Sequence, residues 1–419
     1  MSRRAILIVI LLLLGACTSE GEAGDALAAE GEDLTATTTV PGIQLLGKVT
    51  DPDGIPVPRA TVTVGSDSAM TAPDGWFDML ATPGPLQVGK PAWVGTDSTW
   101  DGSNAFTQVA IEPRRLRALR VGAEAAGNDE RFAAILALAD ETAINAFVFD
   151  TKQEGGKVFY ETGVAEAHES GAVVNVYDPA ERLAQAKEHG LYTITRIVTF
   201  EDSYRAAFRP EEAYDGKWIN PTNTAAWEYP IALGEEACRL GFDEVQFDYV
   251  RFPSEDAAQI SGQLEMTEEE RTTVIEGFLR AARERINAEG CAVSADVFAI
   301  VVSASNDQGI GQRPEALTRH LDAFSPMVYP SHYSPGWLGF DDPNEHPYDV
   351  TTDAIQDAQE RIEQGVVLRP WLQAFWWTNE EIRTSIQAAE DLGVGWILWN
   401  AVSNFDRAAI PTDAELAAS

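Results

Sequence analysis

From residue 114 onward, short apolar runs alternate with longer stretches whose apolar residues recur at helical spacing. Leu116–Gly122 reads as a strand, Asp129–Thr142 as a helix, and Ile144–Asp150 as a strand ending in a carboxylate. Asp178–His189 predicts a helix closed by Gly190, and Leu191–Phe200 a strand with Arg196 inside it. A helix over Trp227–Leu240 stops at Gly241, and the run Gly241–Pro253 follows. There Val245 and Phe247 alternate with Gln246 and Asp248, a period of two, and Pro253 ends the ladder. Glu268–Ala288 predicts a long amphipathic helix, Ala292–Phe298 a strand, Glu315–His320 a short helix and Ala323–Tyr329 a strand. Thr352–Gln364, Val366–Gln373, Asn379–Leu392 and Val394–Asn400 repeat the alternation to the end. Eight strands separated by helices predict an α/β fold, a (β/α)8 TIM-type barrel over residues 114–412. A doubly wound open sheet is the runner-up, and it lacks the Gly-rich phosphate loop that a nucleotide fold needs after an early strand.

The first part of the chain has a different pattern. Residues 42–112 carry several short period-2 runs, such as Leu46–Thr50 and Ala60–Val64, separated by turns such as Asp51-Pro52-Asp53-Gly54 and Pro73-Asp74-Gly75. That predicts a small N-terminal all-β sandwich. Its turn-and-strand pattern resembles the carboxypeptidase regulatory-like domains of bacterial surface proteins, which implies a spacer or a weak binding module; the spacer is the preferred reading, and no site is named in it. Residues 18–41, rich in Gly, Ala, Glu and Thr, read as a flexible linker. Residues 1–17 pair a basic start, Arg3-Arg4, with an apolar run from Ala5 to Leu14 and the ending Leu14-Gly15-Ala16-Cys17. This resembles a bacterial lipoprotein signal. The resemblance implies cleavage before Cys17, lipidation of its thiol, and a mature protein held at a membrane on its extracytoplasmic side.

Composition narrows the partners. The chain of 419 residues has a formal net charge of −36. Such a surface repels nucleic-acid phosphates and anionic lipid headgroups, so no nucleic acid is expected. Cys238 and Cys291 are too far apart in sequence for a zinc spacing, and the five histidines show no metal-ligating pattern, so neither metal nor cofactor is expected. In an exported protein the two cysteines form either a disulfide or two separate buried thiols.

If the barrel forms, the C-terminal ends of its strands converge on one face. The predicted ends offer Asp150 and Lys152, Arg196, then Gln246, Asp248 and Arg251, then Asp296, then Tyr329 and His332, then Gln373 with Trp376 and Trp377, and finally Trp399 and Asn400. Rings stack on the C–H faces of a sugar, while carboxylates and amides fix its hydroxyls. Glycosidic cleavage needs two carboxylates flanking one bond. Asp248 and Asp296, on adjacent strands, are the candidate catalytic pair, and Asp150 is the reserve. Arg196 inside a strand requires an acidic partner, Asp150 or Asp248.

The blocks Phe149-Asp150-Thr151-Lys152, Trp218-Ile219-Asn220-Pro221, Gly241 through Pro253 with its F-D-Y-V-R-F-P, Ser294 through Phe298, Pro326 through Tyr333, Arg369-Pro370-Trp371-Leu372-Gln373 and Gly395 through Ala401 resemble those of a bacterial family. It is the family described as a putative glycoside hydrolase domain, and the resemblance runs over residues 116–405. It implies a TIM-type barrel related to glycosidases, with a carbohydrate substrate that the family does not specify. By analogy of position with barrel glycosidases that place an aspartate nucleophile at the end of strand four, Asp248 stands as the nucleophile and Asp296 as the acid/base. Arg196 or Arg251 would keep Asp248 ionised, and Asp150, Lys152, Gln246, Tyr329, His332, Gln373, Trp376 and Trp399 would contact the sugar. The tryptophans after Phe375 depart from the expected pattern, so the loop after the seventh strand transfers least. The rival expectation is a non-catalytic polysaccharide-binding or envelope-scaffold lipoprotein with the same barrel. A metal-dependent hydrolase is a third reading, and the scattered histidines do not support it.

Overall fold

The computed structural model describes residues 42–214, 216–254 and 265–418. The expected targeting segment, Cys17 and the expected linker lie outside them. Eight parallel strands form the barrel: β1 (Arg117–Val121), β2 (Ala146–Lys152), β3 (Tyr192–Val198), β4 (Glu244–Asp248), β5 (Ala292–Phe298), β6 (Ala323–Val328), β7 (Val367–Leu368 and Trp371–Gln373) and β8 (Trp396–Trp399). Each pairs in parallel with the next. β8 pairs back to β1, Ala118 opposite Ile397, and closes the sheet into a cylinder. The open-sheet alternative is thereby excluded.

The period-2 pattern sorts the side chains of each strand. Val245 and Phe247 of β4 turn outward into the core shared with the helices, while Glu244, Gln246 and Asp248 turn inward. Interior positions such as Ala146, Val148, Ile194 and Ile397 pack into an apolar plug midway along the cylinder. The helices begin and end on local signals. Glu268–Ala288 opens with a capping box between Thr267 and Glu270, and Asn379–Asp391 with one between Thr378 and Glu381. Glu228–Leu240 ends at Gly241 with φ +109, a conformation that costs glycine little.

Two strand and helix expectations needed correction. Val366–Gln373 is broken at Arg369-Pro370, where proline supplies no N–H to the ladder. The helix expected at Thr352 starts at Pro347, a residue suited to the first turn because its missing N–H has no partner there anyway.

Residues 43–113 form short sheets around their own apolar core. One sheet orders Trp76–Ala81, Ile43–Thr50 and Phe106–Ala110, and a second orders Asp67–Met70, Thr61–Val64, Gly84–Gly89 and Thr96–Trp100. Within Trp76–Ala81 the alternate residues Phe77, Met79 and Ala81 are buried. This core also takes in Ala292, Ala323 and Val367, at the starts of β5, β6 and β7. Gln364 Nε2 donates to Pro56 O at 2.6 Å and Trp93 Nε1 to Gly365 O at 3.1 Å. The sheet domain therefore caps the N-terminal end of the barrel and leaves the other end free. Cys238 and Cys291 are joined in a disulfide with Cα atoms 5.9 Å apart, tying the helix before β4 to the residue that precedes β5.

Candidate active site

Arg196 enters the barrel near the C-terminal end of β3, one residue pair across from Asp150 on β2 and Gln246 on β4. Its guanidinium gathers the mouth. Nε donates to Asp248 Oδ2 at 2.9 Å, Nη2 to the same oxygen at 2.5 Å, and Nη1 to Asp150 Oδ1 at 3.1 Å. Nη2 also reaches Glu154 Oε1 at 2.5 Å, and Nε lies 3.8 Å from Asp296 Oδ2. Asp248 and Asp296 thus flank one nitrogen. Their Oδ2 atoms cannot be farther apart than those two Nε distances together. That bound on one oxygen pair admits the retaining spacing of about 5–5.5 Å between the carboxyl groups.

A second arginine braces the group. Arg120 of β1 pairs with Asp150 Oδ2, and its Nη1 donates to the carbonyls of Asn400 and Ala401 at 3.0 and 2.9 Å. Trp399 lies against both cations, its ring centroid 4.3 Å from Arg120 Cζ and 4.9 Å from Arg196 Cζ.

Two arginines face four carboxylates here, Asp150, Glu154, Asp248 and Asp296. The excess shows in Asp296. Burial, then the neighbouring Asp248 charge, push its carboxyl well above the usual range, and Arg196 only partly opposes them. Asp296 Oδ1 accepts from Trp371 Nε1 at 2.7 Å, while its Oδ2 has no hydrogen-bond partner among the described residues. A proton on Oδ2 removes a buried charge that Arg196 only partly compensates. Asp248 differs: Arg196 holds Oδ2, and the Tyr249 N–H donates to Oδ1 at 2.6 Å. Burial disfavours charge on Glu154 and Arg196 too, but Arg196 holds Glu154 below the usual carboxylate range, and the surrounding carboxylates hold Arg196 charged. Tyr329 is raised by burial and by Asp296 and Asp248, so its hydroxyl stays protonated beside them.

The other predicted residues divide. Lys152 leaves the mouth. The strand register shifts between Asp150 and Lys152, and the lysine turns away to pair with Asp202 at 2.9 Å and donate to Val198 O at 2.6 Å. Gln246 lies a layer below, fully buried, its Nε2 donating to Ser325 Oγ at 3.2 Å. Arg251 stands over the rings of Phe298, Trp218 and Tyr249 at 4.4, 4.8 and 5.0 Å, and the bonds to Asp248 come from Arg196. Gln373 braces two loops: its Oε1 accepts from Ser331 N, and its Nε2 donates to Asn344 Oδ1 and Phe375 O. His332 is exposed, its ring 5.5 Å from that of Tyr329. Trp376 is 83% exposed.

Arg120, Glu154 and Trp371 were not among the sequence candidates. Arg120 carried a legible signal, an arginine between Leu119 and Val121 in an apolar strand, the same anomaly as Arg196. Trp371 and Glu154 carried none apart from the fold. Among the described residues, no group of three or more His, Cys, Asp and Glu is arranged to hold a metal ion.

Residues 118–405 match the model of a family described as a putative glycosyl hydrolase domain. The chain belongs to that family. Of solved structures, the glycoside hydrolase domain of PgaB (BpsB) from Bordetella bronchiseptica is similar at TM-score 0.53 and 11% identity, over 69% of this chain and 95% of that one. At that identity the likeness concerns the fold alone. A hypothetical protein from Ruminiclostridium thermocellum is 33% identical over 43% of this chain and 97% of its own, at TM-score 0.39. The glycoside hydrolase domain of PelA from Pseudomonas aeruginosa aligns over 69% of this chain and 96% of its own at 9% identity and TM-score 0.43. No curated protein matches the chain.

Proposed function

We propose that this member of the glycosyl hydrolase family cleaves glycosidic bonds of a polysaccharide or glycoconjugate with Asp248 and Asp296. The observation that carries the reading is their inequality around Arg196. Asp296 is biased toward its protonated form, with an Oδ2 that accepts no hydrogen bond among the described residues, as a general acid needs, and Asp248 is held by a cation and a backbone N–H, as an anionic nucleophile needs. In this mechanism Asp296 protonates the leaving oxygen while Asp248 attacks the anomeric carbon. Asp296, now ionised, then takes a proton from water, and that water releases the sugar from Asp248. Asp150 and Arg120 hold Arg196 and Trp399 in place. The test is a screen of the mature chain and its Asp248→Asn variant against a broad glycan panel, reading new reducing ends. Release by wild type and none by the variant is expected; equal release by both removes Asp248 from the mechanism.

We further propose that a lipidated Cys17 tethers the protein at a membrane facing the extracytoplasmic side. The disulfide Cys238–Cys291 supports an oxidising compartment. One observation favours a second reading, a non-catalytic glycan binder: Asp150, Asp248 and Asp296 are 0, 3 and 1% exposed. That protein would bind a glycan, release no reducing ends and keep its affinity in the Asp248→Asn variant.

A further inference from the structure

Past the ends of β7 and β8, on the side of helix Asn379–Asp391, lies a pocket of about 220 Å³. Phe375, Trp376, Trp377, Phe405, Asn379 and Asn404 are among the residues that line it. Trp376 is the anomaly. Its indole is 83% exposed, and its backbone sits at φ +62. A bulky residue in the left-handed region is strained, at a cost of order 1–3 kcal/mol, and an indole facing water recovers little of that by packing. A strained backbone and a flat apolar face in solvent thus coincide at one residue of the pocket.

The pocket is joined to the carboxylates by a run of rings. Tyr329, whose hydroxyl feels Asp296, meets Phe375 edge-on with centroids 5.5 Å apart. Phe375 meets Trp376 edge-on at 5.0 Å, and His332 flanks both Tyr329 and Phe375 at 5.5 and 6.2 Å. The two regions also share a frame. Asn400 lines the pocket, donates to Ala374 O at 2.7 Å and accepts at its carbonyl from Arg120. Rings with amides between them suit pyranose faces and hydroxyls. Asp406 also lines the pocket, in a chain of net charge −36, which disfavours a sugar carrying acidic groups.

We infer that this pocket is a second sugar-binding subsite with Trp376 as its platform. The substrate is then a glycan chain free of acidic groups, laid from the carboxylates past Tyr329 and Phe375 to Trp376, rather than a single terminal sugar. The inference rests on the reading of the mouth as a glycosidase site and extends it to the substrate class.

The experiment uses the mature chain carrying Asp248→Asn, so that bound glycans are not consumed. Calorimetric titration compares disaccharides and hexasaccharides of the cello, chito, malto, manno and xylo series, with hexagalacturonate as the acidic probe. At least one neutral hexasaccharide is expected to bind about tenfold or more tightly than its disaccharide. Trp376→Ala erases that advantage and Trp376→Phe keeps most of it. Equal affinity for long and short chains, a preference for hexagalacturonate, no neutral hexasaccharide bound, or indifference to Trp376→Ala each overturns the subsite. Indifference to Trp376→Ala alongside hydrolysis that depends on Asp248 rejects the subsite and leaves the mouth as read. Length-dependent binding through Trp376, with hydrolysis that survives Asp248→Asn, upholds the subsite and rejects the catalytic assignment.

Discussion

The barrel buries arginine and carboxylate at both ends, in different proportions. At the end covered by the sheet domain, Arg369 meets Glu244 with two parallel bonds of 3.2 and 3.1 Å. Ser294 donates to one Glu244 oxygen and Tyr192 to the other, so each oxygen has two donors. At the open end, two arginines face four carboxylates, and among the described residues Asp296 Oδ2 accepts no hydrogen bond and has only the longer ion-pair contact with Arg196. Balanced charge with saturated acceptors is what a structural pair requires, because a lone buried charge costs several kcal/mol. Surplus negative charge with a free acceptor destabilises the fold, and it leaves a proton available for chemistry. Buried ion pairs alone do not mark a site; their imbalance does.

The contrast can be broken by substitution. The largest effect is expected at the open end, where Asp248→Asn should lower hydrolysis by at least about a thousandfold with little change in unfolding midpoint. Loss of folding together with activity would make that end structural as well. At the closed end Arg369→Met strands the Glu244 charge and should cost about 3–5 kcal/mol in denaturant unfolding. The same variant should keep its activity per folded molecule.

Reduction of Cys238–Cys291, which closes a sequence separation of 53, should cost about 2–4 kcal/mol in the same measurement. Because the bond lies behind β4 and β5, KM should hardly move.

The pH dependence sharpens the difference further. Asp296 has a folded-state pKa raised above its unfolded value, so the folded protein binds the extra proton. Stability therefore falls as pH rises from the ordinary carboxylate range, about 4, toward the raised value. Asp296→Asn should flatten that decline, and activity in the native chain should fall on the same alkaline limb. A decline unchanged in the variant assigns the titration elsewhere. The smallest effect is expected from Trp371→Phe. Losing the Nε1 donor raises the Asp296 pKa further, so the alkaline limb should move to higher pH with a rate change of about tenfold or less.

Much of the barrel could be read from the chain because its signals are local. Apolar periodicity marked Glu268–Ala288 and Ala292–Phe298 at their observed limits. Gly241 marked the stop before β4. Arg196 announced itself as a charge inside an apolar strand, and so did the overlooked Arg120. Lys152 shows where such reading ends. Its spacing of two from Asp150 placed both on one face, and a register shift invisible in the sequence separated them. Gln246 and Gln373 looked like ligand contacts because they are amides near strand ends, yet their bonds to Ser325, Ser331, Asn344 and Phe375 hold the scaffold.

The order of strands and helices, and the gathering of polar residues at strand ends, follow from the sequence, because periodicity and chain direction fix which side chains point into a closed cylinder. Which arginine serves Asp248, which carboxylate keeps its proton, and which end of the barrel stays open were decided by tertiary structure. Those outcomes depend on distances between residues tens of positions apart and on how deeply each charge is buried, and no local pattern encodes either.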